Sequence, residues 1–163
     1  MLSAYLSPAD IKVNLESSEK EECFAELLEL IVAKNPKIKR PEAMKALIER
    51  EEKMSTAVFP CIAVPHALSK DVGDIPAIAI AIGISPAGIE FEPVSTESDP
   101  KASQDNPKVN IIFEILFEEK EAETHLRILR DILSIVSNPD FTKSILQAKT
   151  SQEVYDLIEF LES

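Results

Sequence analysis

Glycine is scarce in this chain: only Gly73, Gly83 and Gly88 occur among 163 residues. The P-loop and dinucleotide-binding motifs need several glycines close together, because a backbone without Cβ atoms can approach a phosphate closely. No P-loop, GxGxxG or GxSxG pattern occurs in the sequence. The common Gly-rich phosphate cradles are therefore excluded.

Cysteine and histidine are equally rare, with two of each: Cys23, Cys61, His66 and His125. The cysteines have neither CxxC nor CxxH spacing, so the sequence predicts no zinc site and no disulfide framework. Unpaired cysteines are typical of a reducing compartment. We therefore predict a cytoplasmic protein that requires no metal and no cofactor.

Basic residues are outnumbered, with 17 Lys and Arg against 29 Asp and Glu, which gives a net charge of −12. Such a charge repels phosphate backbones and anionic lipids, so no nucleic-acid partner is expected. There is no apolar stretch of the length that spans a bilayer, and the first residues do not resemble a signal peptide, so no membrane insertion is expected. An acidic surface suits a partner with a basic face.

Length and apolar spacing indicate one domain, residues 1–163, with helices at both ends. Predicted helices cover 18–34, with capping-box spacing at Ser18–Glu21, and Pro41 to about Met54. In the last third, apolar residues recur at helical spacing from Leu126 to Val136. A new first turn is predicted at Asn138-Pro139, and a capping box at Thr150 precedes a helix to Leu161.

The middle of the chain has the pattern of strands, at 61–64, 77–84 and 108–117. Isoleucine alternates with Ala or Gly from Ile78 to Ile84, which predicts a strand buried on both faces with a helix close to its small-residue face. Val109 to Phe117 should place every second residue on one face. Residues 92–107 are predicted to form a mobile surface loop. The predicted fold is α/β, a mixed sheet sandwiched between helices.

Three residues stand out as candidates for chemistry. His66 follows an apolar run and Pro65, whose fixed φ presents the ring from a stiff backbone. His125 follows an acidic run at the start of a helix, and Arg50 lies at a helix end, where its charge favours the helix dipole or a phosphoryl group. Each residue also has an ordinary structural explanation, and position alone does not decide between the two.

Taken together, Arg50-Glu51, Ser55-Thr56 and Ile62-Ala63-Val64-Pro65-His66-Ala67 resemble the signature of the fructose/mannitol-type enzyme IIA domain of the bacterial phosphotransferase system. The nitrogen-type regulatory enzyme IIA shares that pattern. The resemblance continues through His125-Leu126 and covers nearly the whole chain. It implies that His66 carries a phosphoryl group received from phospho-HPr and passes it to an enzyme IIB, with His125 and Arg50 completing the catalytic site.

The chain departs from the family pattern where glycines are common, with Ala57, Phe59 and Cys61 in their place, and at the long segment 92–107. Three functions therefore stay open. The chain could be a phosphoryl carrier for sugar uptake, or a regulatory protein that controls a transporter, kinase or transcription factor according to its phosphorylation. It could also be an interaction domain that has lost the chemistry.

Overall fold

The computed structural model describes residues 1–57, 59–68, 77–91 and 108–163. The predicted mobile loop at 92–107 lies outside these ranges. Short 3₁₀ turns occur at Leu2–Tyr5, Pro8–Asp10 and Glu119–Glu121. The helices are α1 (Lys20–Lys34), α2 (Arg40–Lys53), α3 (Ala122–Val136), α4 (Phe141–Gln147) and α5 (Ser151–Glu162). The strands are β1 (Ile11–Lys12), β2 (Ile62–Ala63), β3 (His66–Leu68), β4 (Ile78–Glu90) and β5 (Lys108–Phe117).

The strands form one mixed sheet around the antiparallel pair β4 and β5. β1 runs parallel to β4 at one edge. β2 and β3 run parallel to β5 at the other, with Ile62 opposite Ile111 and His66 opposite Ile115. This mixed sheet with helices on both faces confirms the predicted fold class.

Each sheet face has its own apolar core. Ile80, Ile82 and Ile84 pack with α3, α4 and α5, while Ala79 and Ala81 pack with α1 and α2. The small face of β4 therefore lies beneath a helix, as its Ala and Gly residues predict. The helix is so close that a Cβ atom at Gly83 would lie 2.8 Å from Leu27 Cδ2.

The structure corrects two details of the strand predictions. β4 continues past Ile84 to Glu90, although Pro86 interrupts the alternation. Between the pairs Ile84–Ile111 and Ile89–Val109, β4 contains more residues than β5. This irregularity in the pairing changes which sheet face the side chains beyond it point to. As a result Val109 packs on the α1/α2 side rather than with the alternating residues that follow it.

Helix starts differ from the predictions at two places. The predicted capping box at Ser18 is absent, because α1 begins at Lys20 with an extended Glu19 as N-cap and no side-chain cap. α4 begins at Phe141, later than Asn138-Pro139 suggested. The cap at Thr150 is confirmed, since its hydroxyl accepts a 3.1 Å hydrogen bond from Glu153 N.

Candidate functional site: two histidines at the end of the sheet

His66 lies at the start of β3, at the edge of the sheet. Pro65 has no N–H, but its carbonyl accepts a 2.9 Å bond from Ile115 N, which ties the chain to β5 directly before the histidine. The imidazole Nδ1 lies 2.8 Å from the carbonyl oxygen of Val64. A carbonyl can only accept, so Nδ1 carries the proton and Nε2 holds the lone pair in the neutral ring.

His125 reaches the same place from the first turns of α3. Its ring centroid lies 5.1 Å from that of His66. It stacks on Phe117, the last residue of β5, at 3.9 Å and an interplanar angle of 6°. The side chain is buried, and its Nδ1 has no hydrogen-bond partner among the described residues. The structure thus brings together two histidines 59 positions apart in sequence.

Burial keeps both imidazoles neutral near pH 7. It is the main cause that lowers the pKa of His66 below 6.5, and it outweighs the opposing effect of the Val64 hydrogen bond. The pKa of His125 falls to about 4, because of burial first and the neighbouring charge of His66 second. A neutral imidazole has a free lone pair, so the site favours the nucleophilic form.

Arg50 is in the last turn of α2 and lines the same surface groove as His66. The groove encloses about 330 Å³, and Lys53 and Leu68 also line it. The guanidinium of this half-buried residue donates a 2.8 Å hydrogen bond from Nη1 to the carbonyl of Met54 and lines the open groove. It is therefore available to an anion that enters beside His66.

The Gly-poor segment still forms a tight turn. Cys61 takes the left-handed conformation, with φ +70°, that glycine adopts more easily. Its carbonyl accepts bonds from Asn110 N (2.8 Å) and Ile111 N (3.0 Å), which fix the turn to β5. Phe59 forms an isolated bridge with Ile62. Although the family's glycine is replaced here, Cys61 adopts the left-handed conformation directly before β2.

Sequence reasoning did not identify two parts of this site. Phe117 reads as an ordinary strand residue, although its ring lies against His125 and 6.4 Å from His66. Glu51 is in sequence only one member of the Arg50-Glu51 motif, yet it is buried and accepts a hydrogen bond from Thr56. A lone acidic residue at an amphipathic helix end carries no signal of burial, so only the structure reveals this contact.

No metal or membrane element is evident in the described part of the chain. Across residues 1–57, 59–68, 77–91 and 108–163, no group of three His, Cys, Asp or Glu could hold a metal ion. Within those same ranges, none of the helices has the length and apolar character needed to cross a bilayer.

A family model matches residues 4–160: the EIIA 2 domain of the phosphoenolpyruvate-dependent sugar phosphotransferase system. The match covers almost the whole chain, so the protein belongs to this family of phosphoryl-transfer proteins, as the motifs predicted. Family membership confirms the resemblance inferred from the region around His66.

Two sequence relatives support this assignment. The chain is 29% identical over 155 residues to the fructose-specific EIIA component of Haloferax volcanii, covering 94% of this chain and 92% of that protein. It is also 29% identical over 158 residues to the fructose-specific EIIABC component of Bacillus subtilis. That match covers 96% of this chain but only 23% of the larger protein, so the chain spans about a quarter of its length.

Solved structures share the fold. The nitrogen regulatory protein IIA-Ntr of Neisseria meningitidis superposes with a TM-score of 0.78 at 20% identity, over 96% of this chain and 98% of that one. Enzyme IIA for mannitol from Escherichia coli, solved in complex with phosphorylated enzyme IIB, has a TM-score of 0.70 at 18% identity, over 95% and 97%. At these identities the likeness establishes the fold alone.

Proposed function

We propose that this protein is a phosphoryl carrier for sugar uptake, in which His66 accepts phosphate from phospho-HPr and passes it to an enzyme IIB. The observation that carries the proposal is the geometry of His66: Nδ1 is held by the Val64 carbonyl, so the Nε2 lone pair is free. Both sequence relatives are fructose-specific transport components, which favours sugar uptake over control of a regulated target.

The transfer is a substitution at phosphorus with no change in oxidation state. The Nε2 lone pair of His66 attacks the phosphoryl group of the donor phosphohistidine. A new N–P bond forms as the donor N–P bond breaks, and the electron pair returns to the donor imidazole. The Nδ1–H bond to Val64 is kept in both states, so the ring need not turn. In transfer to enzyme IIB, phospho-His66 is the donor: a nucleophilic side chain of enzyme IIB bonds to phosphorus, the Nε2–P bond breaks, and its electron pair returns to Nε2 of His66.

Arg50 and His125 would stabilise the charge that the phosphoryl group brings. Arg50 lies with His66 and Lys53 in the groove, and a guanidinium matches phosphoryl oxygens in two parallel hydrogen bonds. His125 would donate one N–H from a ring fixed by Phe117. A hydrogen bond to a charged group contributes about 1.5–3 kcal/mol, and preorganised donors avoid the cost of reorienting during transfer.

The test is phosphorylation with phosphoenolpyruvate, enzyme I and HPr, followed by intact mass. Wild type should gain one phosphoryl mass that is stable to base and labile to acid, and then lose it to an added fructose-type enzyme IIB. His66→Ala should gain none. His125→Ala is the matched variant at the other histidine and should still accept phosphate, but slowly. Full labelling of folded His66→Ala would refute the assignment, and absence of labelling in wild type would refute the carrier function.

A further inference from the structure

Glu51 is a buried carboxylate at an unfavourable position. It lies in the last turn of α2, where the helix dipole disfavours negative charge, and its side chain is 3% exposed. Lys20 Nζ, 3.7 Å from Oε1, is its only ion-pair partner among the described residues. A carboxylate taken out of water at such a place requires strong hydrogen bonds in compensation.

Among the described residues, the hydrogen bonds to the Glu51 carboxylate come from Thr56. The Thr56 hydroxyl donates to Glu51 Oε2 at 2.6 Å, and its backbone N–H lies 3.1 Å from both carboxylate oxygens. Thr56 is itself buried, at 2% exposure. The carboxylate therefore fixes both the side chain and the peptide of Thr56, three residues after α2 ends.

Thr56 in turn holds the residue that orients His66. The Thr56 carbonyl accepts a 2.9 Å hydrogen bond from Val64 N, and the Val64 carbonyl accepts from Nδ1 of His66 at 2.8 Å. Val64 lies between β2 and β3, where no strand ladder bond fixes its N–H. The Thr56 carbonyl thus holds the Ala63–Val64 peptide on one side of the acceptor for Nδ1, and the bond from Ile115 N to the Pro65 carbonyl holds the chain on the other side.

We propose that Glu51 is a positioning residue, which acts through Thr56 and the Val64 carbonyl to hold the His66 ring with its proton on Nδ1 and its lone pair on Nε2. The effect on transfer rate rests on the proposed function of His66, but the effect on the ring does not. A misplacement of about 1 Å at a reacting group can cost about a hundredfold in rate. Loss of this chain of hydrogen bonds should therefore slow phosphorylation about tenfold to a hundredfold.

The alternative is that Glu51 only stabilises the turn after α2. Four variants separate these roles. Glu51→Gln removes the charge and one acceptor, and Thr56→Val removes the hydroxyl while it keeps the branched shape. Thr56→Ser restores the hydroxyl. Glu52→Gln is the matched control, since it makes the same charge change one residue away on an exposed side chain.

The first measurement is long-range ¹H–¹⁵N NMR of the His66 ring at pH 8, where the ring is neutral. Wild type, Thr56→Ser and Glu52→Gln should show the Nδ1–H tautomer, while Glu51→Gln and Thr56→Val should show a mixture. The second measurement is the rate of phosphorylation by phospho-HPr. This rate should fall only in Glu51→Gln and Thr56→Val. If Glu51→Gln does not fold, Thr56→Val alone decides.

Folded Glu51→Gln and Thr56→Val with the wild-type tautomer and rate would overturn the proposal, even if both melt at lower temperature. If wild type itself is not phosphorylated, the carrier function fails, and the tautomer measurement still decides the role of Glu51.

Discussion

Glu114 occupies the centre of β5 on the face that packs against α1. It is completely buried, opposite Ala81 of β4, and neither carboxyl oxygen has a hydrogen-bond partner among the described residues. Burial raises the pKa of Glu114 well above 4.5 and so favours the neutral, protonated carboxyl in the native state. It forms part of no contact described at the histidine site. We therefore expect it to destabilise the fold.

Replacement of Glu114 by leucine should stabilise the protein. A buried polar group without a partner costs about 1–3 kcal/mol in proteins, and leucine has a similar volume without polar atoms. For a chain of this size each kcal/mol shifts the Tm by about 2–4 °C, so the variant should melt about 2–12 °C higher. Urea unfolding at pH 7 measures the free energy directly. A Glu114→Leu variant less stable than wild type would refute the reasoning.

Glu114→Gln tests the ionisation separately. In the unfolded chain Glu114 loses its proton above about pH 4.5, while the native state keeps it, so the unfolded state binds fewer protons. The free energy of unfolding should therefore fall as pH rises above 4.5. Glutamine cannot ionise, and the variant should show a smaller decline between pH 5 and 8. Glu159→Gln, at an exposed position of α5, is the control and should keep the wild-type slope.

Three other substitutions test packing, backbone strain and proton linkage. Cys61→Gly should raise stability by about 1 kcal/mol in urea unfolding, since φ is +70° and a left-handed non-glycine residue costs about 1–2 kcal/mol. Gly83→Ala should lower it by about 1–3 kcal/mol, because the new Cβ would lie 2.7 Å from Leu15 Cδ1. With a folded pKa of about 4 against 6.5 unfolded, His125 binds its proton more readily after unfolding. Stability should fall by up to about 3 kcal/mol from pH 6.5 to 4, and His125→Asn should reduce that fall. Unchanged stability in either of the first two, or an unchanged pH slope in the third, would contradict the corresponding argument.

The regular parts of the fold were predictable because side-chain periodicity follows backbone geometry. Alternation from Ile78 to Ile84 predicted a strand buried on both faces, and its small face does lie under α1. Where a tertiary contact overrides the local pattern, prediction failed. The backbone before α1 is held by Glu26, whose carboxylate accepts from Glu16 N and Ser17 N, so the capping box at Ser18 does not form.

The proximity of the two histidines was predictable only through the resemblance. Nothing in the spacing of His66 and His125 requires their rings to meet, because the contact depends on β3 pairing with β5 and on α3 starting one 3₁₀ turn after the end of β5. Strand order is a property of the whole sheet. The hydrogen bonds that link Glu51 to Val64 through Thr56 could not be predicted from the sequence either. They depend on the burial of Glu51, a residue type that is usually exposed to solvent.

The charge state of the site is decided by its surroundings rather than by the net charge of the protein. A net charge of −12 favours protonated histidine, yet burial lowers the pKa of both rings. Phe117 supplies part of that burial, since its ring covers one face of His125. The acidic surface therefore does not force either histidine into its protonated form. An acidic surface and two neutral rings can coexist because desolvation acts within a few ångströms, whereas distant surface charges are screened by salt over about 8 Å.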